Sequence, residues 1–223
     1  MTVQEYLRVT EIFHSIQGES TWAGLPCTFI RLTGCPLRCV WCDTEYSFHG
    51  GEKVPLKGIL KQVEDFPCRL VEITGGEPLI HPNAFRLATE LLDRGYTVLV
   101  ETSGAVDVAA LDPRVHKIMD LKCPGSGEES KNLWSNLDHL TEGDEVKFVL
   151  KDRVDYQWAC DVIREQGLHL RVLDGTLRAL LFSPVWDELD LSVVSDWMLE
   201  DDLPVRLQIQ LHKLIWDPKA RGV

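Results

Sequence analysis

Short apolar runs rich in β-branched and aromatic residues recur along the chain. They are TFIRL at 28 to 32, LVEIT at 70 to 74, TVLVET at 97 to 102, KIMDLK at 117 to 122, VKFVL at 146 to 150, ALLFS at 179 to 183 and VRLQIQL at 205 to 211. Their length and composition predict buried strands. Between them, apolar positions fall at helical spacing. In AFRLATELLDRG, Phe85, Ala88, Leu91 and Leu92 share a face and Gly95 suits a C-terminal cap, and YQWACDVIREQG ends in the same way at Gly167. Alternating strand and helix predicts right-handed βα units around a parallel sheet. A closed eight-unit barrel takes about 250 residues. Six or seven mostly parallel strands, with weak helices between some of them, favour a partial, incomplete TIM-type β/α barrel in a single α/β domain over 1–223. The polar break CPGSGEESKN at 123 to 132 reads as a loop after a strand. In such folds chemistry gathers at the carboxyl ends of the parallel strands.

Composition narrows the class. With 223 residues, 44% of them hydrophobic and 26% charged, the chain can bury its own core without disulfides. Its 23 basic and 35 acidic residues give a net charge of −12, which argues against broad nucleic-acid or anionic-membrane binding. No apolar run approaches the roughly 18 residues of a membrane span, and MTVQEYLRVTEIFHS lacks the layout of a secretory leader. The expectation is a cytoplasmic protein.

Three of the seven cysteines, Cys35, Cys39 and Cys42, crowd into GCPLRCVWCDT directly after the first of these strands, within a cluster loop at 33–50. An odd, clustered set favours metal ligation over disulfides. Structural zinc and ordinary ferredoxin clusters take four protein ligands. Three thiolates on a 4Fe-4S cluster leave one iron open to a small molecule. The competing reading is a zinc site completed by a distant residue such as His49 or Cys68.

CxxxCxxC with an aromatic residue before the last cysteine resembles the signature of the radical S-adenosylmethionine enzymes. That resemblance implies a 4Fe-4S cluster on the three cysteines, S-adenosylmethionine chelated to the unique iron, and a 5′-deoxyadenosyl radical. The segment TGGEP at 74 to 78 is similar to the superfamily stretch that holds the methionyl amine, here Gly76 and Glu77. ETSG at 101 to 104 and DLKCPGSG at 120 to 127 end later strands with polar groups suited to a ribose or carboxylate, which nominates Ser103 and Lys122; either could instead cap a helix or pair with a surface charge. Arg31 on a buried strand needs an anion, either a substrate carboxylate held by its fork of donors or an internal partner such as Glu19 or Glu72.

The wider set IFHSIQGES, GLPCTFIRLTGCPLRCVWCDT, ITGGEP, VETSG, MDLKCPGSGE and LQIQLHK resembles the 7-carboxy-7-deazaguanine synthase family over nearly the whole chain. The resemblance implies a lyase converting 6-carboxy-5,6,7,8-tetrahydropterin to 7-carboxy-7-deazaguanine with loss of ammonia, on the deazapurine branch toward queuosine. It implies that S-adenosylmethionine is regenerated, and that Mg2+ contacts the hydroxyl of Thr44. Substrate contacts carried over are the backbone around Ile16, Gln17 and Gly18 and the side chains of Glu19, Arg31, Thr74 and His212. Cofactor contacts are Trp41, Cys42, Asp43, Gly76, Glu77, Ser103 and Lys122, with Phe182, Ser183, Pro184 and Val185 after the sixth strand. A flavodoxin- or ferredoxin-type electron donor and a homodimer are family expectations, with no direct nucleic-acid or membrane partner. The chain continues past the HK segment where some relatives stop, so the resemblance does not carry over contacts from Trp216 or Pro218. Cys27 and Cys123 read as packing residues. A glycyl-radical-activating enzyme is the alternative enzyme, disfavoured by QGE and Arg31, and a zinc-binding interaction module is the non-catalytic alternative.

Overall fold

The computed structural model describes residues 5–223. Residues 1–4, where the stretch examined for a leader begins, lie outside the described residues. Seven strands run parallel: β2 (Pro26–Leu32), β4 (Leu70–Gly75), β5 (Thr97–Thr102), β6 (His116–Leu121), β7 (Glu145–Leu150), β8 (Ala179–Pro184) and β9 (Val205–Leu207), each hydrogen-bonded to the next. All seven runs predicted from the sequence appear. The last is shorter than VRLQIQL suggests, because the chain turns after Leu207 and enters helix α6 (Leu211–Ile215). Two antiparallel strands, β1 (Tyr6–Ile16) and β3 (Glu52–Pro55), extend the sheet beyond β2. The order is β3-β1-β2-β4-β5-β6-β7-β8-β9, and β3 does not meet β9. The sheet is therefore an open, partial barrel.

Helices cover the outer face. In α1 (Leu56–Glu64), Leu56, Ile59, Leu60 and Val63 form one buried stripe. In α2 (Pro82–Asp93), Ala84, Leu87, Ala88 and Leu91 do the same; Pro82 opens the helix and Gly95, at φ +81°, turns the chain out of it. Helix α3 (Arg153–Glu165) is capped by Asp152, whose carboxylate accepts from the N–H groups of Val154 and Asp155. Helices α4 (Leu168–Leu173) and α5 (Leu191–Asp201) complete the layer. Each fully buried leucine contributes roughly 1.5–3 kcal/mol, so these stripes hold the helices to the sheet. Between β5 and β7 only short 3-10 turns occur, including those at Pro124–Ser126 and Glu129–Lys131 within the predicted loop. No helix among the described residues is long and apolar enough to cross a membrane.

The two faces of each parallel strand differ. Ile30, Ile73, Val100, Met119, Val146 and Phe148 pack under the helices. On the inner face, Cys27, Phe29, Leu70, Leu99 and Ile118 form a separate apolar cluster with Phe13 and Trp22, filling the end of the barrel nearest the strand starts. Two residues further along, the same face presents Arg31, Glu72, Glu101, Asp120 and Lys147 to a cavity. The pleat thus places charge at the strands' carboxyl ends.

Candidate active site

The cavity measures about 770 Å3, within the range of small-molecule sites. Cys35, Cys39 and Cys42 lie on its wall together. Their loop is fastened at several points. The N–H of Gly34 donates to Ser47 O at 2.8 Å, that of Val40 to Ser126 O at 3.1 Å, and that of Glu77 to Gly34 O at 2.9 Å. Gly76 packs directly on this loop: a Cβ there would stand 2.5 Å from Cys35 Cβ and 2.6 Å from Gly34 O. Burial pushes the Cys39 thiol up to about 11 and raises Cys35 as well, with the nearby Lys122 ammonium opposing both. Among the described residues, no three His, Cys, Asp or Glu side chains gather as ligands of a single ion would. Three thiols along one loop facing a shared cavity suit a multi-iron cluster with an open position better than a four-ligand zinc. On the same wall, Asp120 Oδ1 is buried without a partner, as a polar ligand site would leave it.

Nearly all of the expected contact residues converge here. Trp41, Asp43, Thr44, Gly76, Ser103 and Lys122 line the cavity with the cysteines, and Ser183, Pro184 and Val185 line it from the end of β8. Ile16, Gln17, Gly18, Glu19, Arg31, Thr74 and His212 line the remainder. Thr44 Oγ1 sits 3.7 Å from Cys42 Sγ. Two side chains are not on the wall. Phe182 points away and packs edge-on against Phe148 and Tyr156. Glu77 is fully buried, and its carboxylate accepts from Leu79 N–H, Thr102 Oγ1, Ser103 N–H at 2.7 Å and Ser103 Oγ at 2.5 Å. Through these bonds and its own N–H to Gly34, Glu77 ties the cluster loop to the end of β5.

The charged groups are partnered across strands. Arg31 pairs neither with Glu19 nor with Glu72; its partner is Glu11, directly opposite on β1, with Nε to Oε1 at 2.8 Å. Tyr46 O–H donates to the same oxygen at 2.8 Å. Burial opposes the charge on Glu19, but the Lys147 ammonium and His212 lower its pKa to about 2. Burial opposes ionisation of Asp43 too, yet Lys213, 2.7 Å away, holds it below its ordinary range. Burial raises Glu72 well above the usual carboxylate range, with Glu101 adding to the effect, and Gln17 Nε2 donates to it. Lys122 pairs with Asp120 at 2.9 Å and, despite burial, stays more basic than usual.

Several wall residues have no counterpart in the sequence reading. Lys147, Glu101, Asp120, Gln210 and Lys213 all line the cavity, as do residues 217–223. Pro218 is among the last, whereas Trp216 is not on the wall. Cys27 and Cys123 are buried away from it.

Comparison with known proteins shows the family and the fold. Residues 29–123 match the family described as Radical SAM superfamily. The 7-carboxy-7-deazaguanine synthase of Koribacter versatilis is 44% identical over 97% of this chain and 100% of its own. That of Chlorobaculum tepidum is 42% identical over the whole of both chains. The crystal structure of QueE from Escherichia coli superposes with a TM-score of 0.72 at 24% identity, covering 93% of this chain and 95% of that one, which supports the fold.

Proposed function

The chain belongs to the family of 7-carboxy-7-deazaguanine synthases, radical SAM lyases, and from that premise we propose that its cavity takes 6-carboxy-5,6,7,8-tetrahydropterin to 7-carboxy-7-deazaguanine with loss of ammonia. The observation that carries this is the sharing of one cavity by a three-thiol loop and a wall of paired charges. Cys35, Cys39 and Cys42 would hold a 4Fe-4S cluster, which with S-adenosylmethionine supplies one-electron radical chemistry when bound. Gly76 leaves room for close approach of loop and ligand, and Ser103, Lys122 and Asp120 offer donors and acceptors to the cofactor's polar groups.

Arg31 has donors beyond those used by Glu11, and a guanidinium can fork onto the substrate carboxylate. Glu19, Thr74 and His212 line the cavity and would face the ring, with the backbone from Ile16 to Gly18 bordering it. Thr44 offers one hydroxyl to Mg2+, which keeps waters and borrows oxygens from substrate rather than requiring a carboxylate cage. A reductant is needed. We assign that role to a flavodoxin- or ferredoxin-type donor, and the working assembly to a homodimer in the cytoplasm.

The test is anaerobic reconstitution with iron and sulfide, followed by dithionite, S-adenosylmethionine, Mg2+ and the pterin, with mass spectrometry of the small molecules. The deazapurine is the expected product. Cleaved cofactor without it would leave radical chemistry standing and overturn the substrate.

A further inference from the structure

Lys147 lies in the middle of β7, facing the cavity, while its neighbours Val146 and Phe148 face the helices. Its Nζ lies 2.9 Å from Glu19 Oε2, bonds Glu101 Oε1, and stands 3.9 Å from Asp120 Oδ2. Three elements distant in sequence therefore meet on one ammonium. A buried lysine is costly unless carboxylates surround it, and buried carboxylates are costly without the lysine. The packing of β7 does not call for this arrangement, since the strand's apolar contacts lie on its other face. The cluster shares the cavity with Arg31, which stands on β2, the first strand of the parallel array, while Lys147 stands on β7, four strands along.

The cavity is thus bipolar. One side offers a guanidinium with donors to spare. The other gathers the carboxylates of Glu19, Glu101 and Asp120 on the ammoniums of Lys147 and Lys122, a wall that is still net acidic with lone pairs remaining. Glu101 keeps spare capacity: besides Lys147 it accepts only from Thr74 Oγ1 at 3.3 Å, and a carboxylate has about four acceptor sites. A ligand with an acid at one end and ring N–H donors at the other fits in one orientation only.

We propose that Lys147 is a positioning residue for the reaction: its ammonium ties Glu19 to Glu101 and holds both as the acceptor wall for the N–H edge of the substrate's aminopyrimidinone ring, opposite the carboxylate held by Arg31. This rests on the pterin reading above. Lys147 bonds Glu19 and Glu101 but stands 3.9 Å from Asp120, whose bonded partner is Lys122, so loss of Lys147 acts chiefly on pterin rather than on the residues that would hold the cofactor.

The experiment compares reconstituted wild type, Lys147→Met and Lys147→Arg for pterin KM and kcat and for the Kd of S-adenosylmethionine. The expected result is a pterin KM raised at least about tenfold in Lys147→Met, as loss of a buried charged partner gives, with cofactor Kd within about twofold of wild type and most of the KM restored in Lys147→Arg. Should Lys147→Met fail to fold, Lys147→Gln, which keeps a donor but no charge and leaves Glu19 and Glu101 unchanged, is held to the same criteria. An unchanged pterin KM, or pterin and cofactor affinities falling together with no rescue by arginine, overturns the proposal. Wild type that cleaves the cofactor but never uses the pterin overturns the substrate reading itself and removes this one with it.

Discussion

Gly76→Ala is a sharp test of how the cluster loop is held. An added Cβ would stand 2.5 Å from Cys35 Cβ, 2.6 Å from Gly34 O and 3.0 Å from Gly34 C. Carbon–carbon contacts are most favourable near 3.5–4.0 Å, so loop and turn must part by about 1 Å. The atoms struck are largely backbone, which a rotamer change cannot relieve. Overpacking of this kind costs about 1–3 kcal/mol. Separation would also stretch the 2.9 Å bond from Glu77 N–H to Gly34 O. Gly58 is the control: it lies within α1, and its Cβ would meet Val54 at 3.4 Å, an ordinary contact. Alanine there should stabilise by about 0.4–1 kcal/mol through helix propensity. Urea unfolding of the metal-free proteins measures both changes, and iron and sulfide content after reconstitution reports the loop. Gly76→Ala within 0.5 kcal/mol of wild type, with full iron content, would refute the close-approach argument.

Two further outcomes follow from the wall groups. Glu72 has its folded pKa raised, chiefly by burial and then by Glu101, so the folded state keeps a proton that the unfolded chain loses, and stability falls as pH rises from the ordinary carboxylate value through the raised one. Glu72→Gln retains an acceptor for Gln17 and removes this dependence; its advantage in urea midpoint should grow as pH rises above the ordinary carboxylate range, and an advantage constant with pH would contradict the argument. Thr44 bonds Ser47 through its backbone carbonyl, at 2.8 Å to both N and Oγ, so Thr44→Ala keeps those bonds and should leave apo stability within about 0.5 kcal/mol. A Mg2+ titration of turnover should move to higher concentration in that variant, and an identical titration curve would remove Thr44 as the metal contact.

The parallel array is legible in the sequence because its strands from β2 to β8 are largely buried on both faces and read as compact apolar runs, whereas the short β9 is half-exposed. Strand β1 escapes that pattern: most of its positions, such as Thr10, Glu11 and Phe13, are only half-buried, and it pairs antiparallel at the margin of the sheet. Strand β3 is four residues, two of them exposed charges. Helix α5 has little amphipathic contrast because Leu191, Val193 and Leu199 are exposed beside the buried Val194. At the site, the cysteine loop is legible because its spacing is local. The Lys147 to Glu19 pair joins residues 128 apart, and no spacing rule reaches that far. A signal was nonetheless present: five parallel strands carry charged residues amid apolar ones, among them Arg31, Glu72, Glu101, Asp120 and Lys147, and buried charges demand partners. Glu77 shows the opposite case, where a motif residue is conspicuous in sequence but its carboxylate binds Thr102 and Ser103 rather than facing the cavity.

The most direct measurement of the central claim is the ratio of 7-carboxy-7-deazaguanine formed to S-adenosylmethionine lost, followed over time in the reconstituted wild type with the pterin and Mg2+. A catalyst that regenerates its cofactor on this substrate predicts deazapurine accumulating to many equivalents while S-adenosylmethionine stays nearly constant. Steady loss of S-adenosylmethionine to 5′-deoxyadenosine with no deazapurine formed would contradict it.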